Sequence, residues 1–137
     1  MRFLRVELQP AAGYRDLSAP AHLVLTGTAD VGATYGDCRL RPSPDFGRHF
    51  LVAVHRGPCP TGGHTIRIND IEQHGDEVTV TIARRDPRPG EPVTMMITHP
   101  RDCVAVERSA LICRGRLHFH FVDERGKKLS QVTAHID

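Results

Sequence analysis

Three histidines near the C-terminus are the residues whose types and spacing come nearest to metal chemistry. His118 and His120 sit two apart in the alternating segment Leu117-His118-Phe119-His120-Phe121, so they share one face of a strand. His135 lies in a second alternating segment, Val132 to Ile136. If Phe119 pairs with Ala134 across a hairpin, His118 stands opposite His135 and three imidazoles converge. Such a trio can ligate zinc and leave one position open for water, the arrangement of a metal-dependent hydrolase. The competing reading is the exposed polar face of a half-buried hairpin, and no carboxylate that would orient the imidazoles is evident from the sequence. Cys59 is the one candidate nucleophile: it lies between Pro58 and Pro60 and close to His55, Arg56 and His64. A nearby arginine lowers a thiol pKa, but no matched base and orienter accompany it. Serine-nucleophile elbows, phosphate loops, dinucleotide fingerprints and calcium loops are absent from the sequence. No catalytic residue is assigned on these grounds.

The elements that must position these residues read as strands. Leu4, Val6 and Leu8 alternate with Arg5 and Glu7, an edge-strand pattern, and His22 to Thr26 is a second apolar run. Gly27 to Pro44 is rich in glycine, proline and small residues and is expected to form a long connection without a helix. Phe50-Leu51-Val52-Ala53-Val54 is apolar on both faces, as expected of a central strand covered on each side. Ile66 and Ile68 alternate with polar residues, a turn follows at Gln73 to Asp76, and Val78, Val80 and Ile82 alternate back, which predicts a hairpin. Val93, Met95 and Ile97 alternate with Thr94 and Thr98 and predict a further strand, with the methionines as core filler. Cys103 to Val106 is a short buried strand, and Leu117 to Phe121 with Val132 to Ile136 forms a terminal hairpin. The pattern predicts an all-β fold: a single antiparallel β-sandwich, or partly open β-barrel, of about eight or nine short strands, with residues 1–137 as one domain.

Bulk composition bounds the function further. A chain of 137 residues can bury a substantial core, and 18 basic against 16 acidic residues give a net charge of only +2. With no extended basic run, neither nucleic-acid binding nor membrane-surface binding is indicated. The N-terminal residues Met1 to Glu7 lack an apolar signal core, and no segment approaches the ~18 apolar residues of a membrane span. The expectation is therefore no membrane insertion and, unless a signal has been removed, a cytoplasmic location. The four cysteines are spaced 21, 44 and 10 apart with no close pair, which argues against a zinc knuckle. Cys103 reads as core, and Cys38 and Cys59 as the more reactive loop pair; sequence leaves thiol or disulfide open.

The strongest local signal is the run Gly57-Pro58-Cys59-Pro60-Thr61-Gly62-Gly63-His64 between two strands, followed later by Asp86-Pro87-Arg88-Pro89-Gly90-Glu91-Pro92. Prolines stiffen these loops while glycines permit sharp turns, a combination suited to recognition. Asp45-Phe46, the strand Phe50 to Val54, Pro60-Thr61-Gly62-Gly63, Ile66 and Ile68, Val78-Thr79-Val80, Pro87 with Pro89-Gly90, and Val93 to Pro100 together resemble the C-terminal domain family of the protease complex subunit PrcB, over about residues 45–107. That resemblance implies a small bacterial β domain, associated in the named member with a protease assembly, and without assigned catalytic residues. His64 stands where the family pattern favours an aromatic residue. The loop is also similar, more distantly, to the Pro-Thr-Thr-Gly loop with which chagasin-type inhibitors enter a cysteine-protease cleft.

The expected function is a non-catalytic protein-interaction module with a protein partner, a protease being the candidate the resemblance suggests. The candidate contact residues are Pro60, Thr61, Gly62, Gly63, His64, Pro87, Pro89 and Gly90. Both loops are expected at the same end of the domain, with positive φ at Gly62. The alternatives are a peptidase inhibitor using Pro60 to His64 and a zinc hydrolase using His118, His120 and His135. Oligomeric state is not legible.

Overall fold

The computed structural model describes residues 1–11 and 14–137. Its elements in chain order are β1 (Leu4–Arg5), β2 (Glu7–Pro10), β3 (Ala21–Leu25), α1 (Thr28–Tyr35), β4 (Cys38–Arg41), β5 (His49–His55), β6 (Thr65–His74), β7 (Glu77–Arg85), β8 (Arg101–Glu107), β9 (Gly115–Asp123) and β10 (Lys128–Ile136). Among the described residues ten strands form one sheet in the order β1-β8-β5-β3, a second in the order β10-β9-β7-β6, and a two-stranded pair β2-β4. The all-β sandwich is therefore as expected.

Alternation explains how the sheets pack. Phe50, Val52 and Val54 of β5 and Val104 and Val106 of β8 face the second sheet, where Ile68, Ile71, Val80, Ile82, Phe119 and Phe121 meet them. The opposite face of β5 and β8 is also apolar, through Leu51, Ala53, Cys103 and Ala105. Water cannot be left on that face without losing the burial of several side chains, each contributing about 1–3 kcal/mol when large. Leu25 of β3 extends this face, and Val6, Leu8, Val31 and Tyr35 cover it. A third layer, made of α1 and the β2-β4 pair, thus lies on the first sheet, and it is why all of Phe50 to Val54 are fully buried.

Four expectations are corrected. The segment from Gly27 to Pro44 does contain a helix, α1, because Val31 and Tyr35 fall four apart on one face and bury against that first sheet. Asp30 accepts hydrogen bonds from the Thr26 N–H and hydroxyl at the helix start, and these bonds hold its carboxyl below the usual range. Gly36 ends the helix at φ 66°. Its eight residues carry only those two buried positions, too few for periodicity to register. Second, the sheets are not wholly antiparallel: β7 runs parallel to β9, Val78 opposite Phe119 and Val80 opposite Phe121. The chain leaves the second sheet after β7, contributes β8 to the first, and returns in the same direction as β7.

Third, Val93 to Thr98 forms no strand; its one ladder contact is the isolated bridge of Thr98 to Cys59. Met95, Met96 and Ile97 are 85%, 64% and 65% exposed, so the methionines are not core filler. Fourth, the terminal hairpin pairs Phe119 with Val132, not Ala134. The apolar faces still coincide, since the shift is two residues. The turn decides it: the Asp123 carboxylate accepts the Arg125 and Lys127 N–H groups, Gly126 takes φ 83°, and the reversal is tighter than expected.

Candidate functional site

Arg56, at the exit of β5, is the residue that gathers the two loops. Its guanidinium donates to the Thr65 carbonyl at 3.1 Å and the Arg85 carbonyl at 2.6 Å, and also to the Asp86 carboxylate. His64 Nδ1–H donates to the same carboxylate at 2.9 Å. The bonds from His64 and Arg56 hold the Asp86 carboxyl below its ordinary range. One loop is thereby clamped by its last residue to the first residue of the other.

Main-chain bonds continue the clamp along the loops. Cys59 N–H donates to the Thr98 carbonyl at 2.8 Å and Thr98 N–H returns to Cys59 at 2.9 Å. Gly62 N–H donates to the Thr94 carbonyl at 2.9 Å, and the Thr98 hydroxyl to the Thr61 carbonyl at 2.7 Å. The two loops therefore lie together, as expected, and the contact extends past Pro92 to Thr98. Positive φ falls on Gly57 and Gly63, both at 86°, and not on Gly62. A Cβ on Gly63 would stand 2.9 Å from Val93 Cγ1 and 3.0 Å from Pro87 Cβ, so this glycine is needed for conformation and for space. Gly63→Val is expected to cost about 2 kcal/mol or more in urea unfolding, through strain and overpacking together. A cost below a few tenths would show that the two loops are not packed at that point.

The expected contact residues divide. Pro60 and Gly63 are exposed, Thr61, Gly62 and His64 half-buried, and Pro87 half-buried against Gly63. Pro89 and Gly90 form the outer tip of a turn closed by Glu91 N–H to the Arg88 carbonyl, and a Cβ on Gly90 would meet nothing within 4 Å. What sequence reasoning missed is Met95-Met96-Ile97, which the stapled backbone turns outward beside Pro60 to Gly63. Pro92 gave no signal against a strand, since it precedes Val93 and a proline is compatible with a strand start.

The other candidates are placed elsewhere. Cys59 is only 7% exposed, and its thiol is directed to the Gly57 carbonyl at 3.8 Å. His55 is bonded to Tyr35 and His64 to Asp86, so neither histidine serves Cys59 as a base. Cys38 opens β4, and burial raises its thiol pKa, which corrects its reading as a reactive loop cysteine. All four cysteines are free thiols. His118 bonds Thr133 at 3.0 Å and lies 3.9 Å from Asp76, His120 lies 3.5 Å from Glu77, and His135 lies 2.8 Å from Asp137. At the observed register His135 stands opposite Arg116, so the expected convergence on His118 is not formed. Among the described residues no group of three or more His, Cys, Asp or Glu side chains is disposed to hold a metal ion.

Among the described residues no helix is long and apolar enough to cross a membrane. No curated protein and no solved structure matches the chain. Residues 50–107, which run from β5 through both loops to the end of β8, match the family model described as PrcB C-terminal, five residues short of the span expected from the sequence.

Proposed function

We propose that the clamped loops Gly57–His64 and Asp86–Thr98 form a protein-recognition surface of a non-catalytic, protease-associated interaction module. The observation that carries this reading is the exposure of three consecutive large apolar side chains, Met95, Met96 and Ile97, on a loop whose backbone is held by hydrogen bonds. A preordered loop backbone loses little conformational entropy on binding, and methionine side chains adapt to an irregular partner surface. The family match to PrcB C-terminal over the same residues supports a protease-complex setting.

The peptidase-inhibitor alternative receives less support. A loop entering a cleft as an extended strand must offer its own backbone groups, whereas those of Cys59, Thr61 and Gly62 are already bonded to Thr94 and Thr98. Titration against cysteine and serine peptidases is expected to leave their activity unchanged, and stoichiometric inhibition would reverse the order of the two readings. The recognition reading is tested with a photo-crosslinking side chain at position 95 and, as a remote control, at Arg125. Position 95 should trap one defined protein, and Met96→Asp with Ile97→Asp, made in the chain that carries the crosslinker at 95, should abolish that adduct while leaving the unfolding midpoint unchanged. The same adducts from both positions would overturn the proposal.

A further inference from the structure

The β2-β4 pair leaves the outer edge of β4 without a partner strand among the described residues. Glu7 stands opposite Arg41, Leu8 opposite Leu40 and Gln9 opposite Arg39, and among the described residues no third strand lies on the far side of β4. In an antiparallel pair, alternate residues turn their N–H and C=O away from the partner, so the far edge of β4 carries backbone donors and acceptors with no strand to meet them. Beside that edge runs a cleft of about 530 Å³ between β4 and α1, with Val31, Leu40 and Phe46 among its lining and Arg39 and Arg41 along it. Both arginines are exposed. Among the described residues the arginines in ion pairs are Arg5, Arg48, Arg56, Arg85 and Arg101; Arg39 and Arg41 form none, and Glu7, the cross-strand neighbour of Arg41, accepts from Gln9 instead. The cleft contains one carboxylate, Asp37, beside Cys38.

We propose that this edge is a second docking site and that it takes an extended peptide, carrying acid, apolar and acid residues in succession, as an added strand. Strand periodicity dictates the pattern. Arg39 and Arg41 share the outward face while Leu40 packs with the core that includes Val31. A strand laid beside β4 must place one residue next to Leu40, over the apolar part of the cleft, and its two neighbours beside the arginines. β2 already follows this rule on the other edge with Glu7-Leu8-Gln9. Carboxylates at both outward positions complement guanidiniums that have no internal partner, and the added ladder satisfies the open edge. The site shares no residue with the clamped loops and stands independently of their reading.

Fluorescence anisotropy on the full chain tests this with a labelled peptide of about ten residues centred on Glu-Val-Glu. Saturable, salt-sensitive binding is expected, at least tenfold tighter than that of a Lys-Val-Lys counterpart. Arg39→Glu with Arg41→Glu should invert that preference; should this variant unfold more easily, Arg39→Gln with Arg41→Gln should abolish the preference instead. Alternate backbone N-methylation, made in each of the two registers, should weaken binding at least tenfold in one of them. Absence of saturable binding, indifference to peptide charge, or full binding by both N-methylated peptides would overturn the proposal, the last by showing attraction of charge without strand addition.

Discussion

Asp102→Ala is expected to lower the unfolding free energy by about 3–5 kcal/mol, the largest loss we foresee from a single side chain. Asp102 lies at the second position of β8, with its side chain 10% exposed. Its carboxylate receives Arg5 Nε at 3.0 Å and an Arg5 terminal nitrogen at 2.9 Å, the Ile68 N–H at 2.8 Å and the Cys103 N–H at 3.0 Å. Arg5 in turn donates to the Ile68 carbonyl at 2.7 Å. One carboxylate therefore ties β1 and β8 of the first sheet to β6 of the second. Alanine would strand a half-buried guanidinium and two amide donors, and each orphaned group costs its own desolvation. Asp102→Asn keeps the shape and one acceptor and should fall between the two. Urea unfolding measures all three proteins, and a loss under about 1 kcal/mol for alanine would show that water replaces the carboxylate and that the network does not join the sheets.

The second large effect is a loss of stability on acidification that is assigned to His55. This residue, 5% exposed, closes β5 beneath the third layer, with its Nε2 2.6 Å from the Tyr35 hydroxyl. Burial first, and then the Arg101 charge, push its pKa from 6.5 down to about 4, against an opposing pull from Asp16. Burial likewise raises the Tyr35 hydroxyl well above its ordinary value, so Tyr35 remains the donor and His55 the neutral acceptor. A depressed histidine pKa means that the unfolded chain takes up the proton first. The contribution of His55 is therefore complete above about pH 6.5 and declines as pH falls towards 4, by about 3 kcal/mol in all. Urea midpoints at pH 7.5 and 4.5 should differ accordingly, and His55→Gln, which cannot titrate, should remove most of the difference. An equal pH dependence in the variant would assign the effect to other groups.

Much of the fold was legible in the sequence because burial on a pleated surface leaves a period of two. The strands β6, β7, β9 and β10 show it, and the doubly apolar β5 announced that both of its faces would be covered. The identity of that cover was not legible. α1 is short, Gly32 lies within it, and its two buried side chains acquire meaning only against Leu51 and Ala53. The same alternation misled at Val93 to Ile97, since period two reports a strand only where a neighbour pairs with it. There the chain meets Thr61 and Gly62 instead, and its apolar residues turn to solvent.

The amino-acid order by itself determined the strand faces, the two stiffened loops and the likeness over residues 50–107, because each of these depends on residue types at short spacing. Only the tertiary structure decided which groups meet. The register of β9 on β10 depended on how tightly Asp123 folds the turn, and a change of two residues preserved every apolar face while moving His135 away from His118. The parallel run of β7 and β9 depended on the excursion through β8. The union of the two loops depended on Arg56 reaching backbone and carboxylate groups distant in sequence. Faces follow from local chemistry, whereas partners across faces follow from long-range geometry, and the candidate site is made of partners.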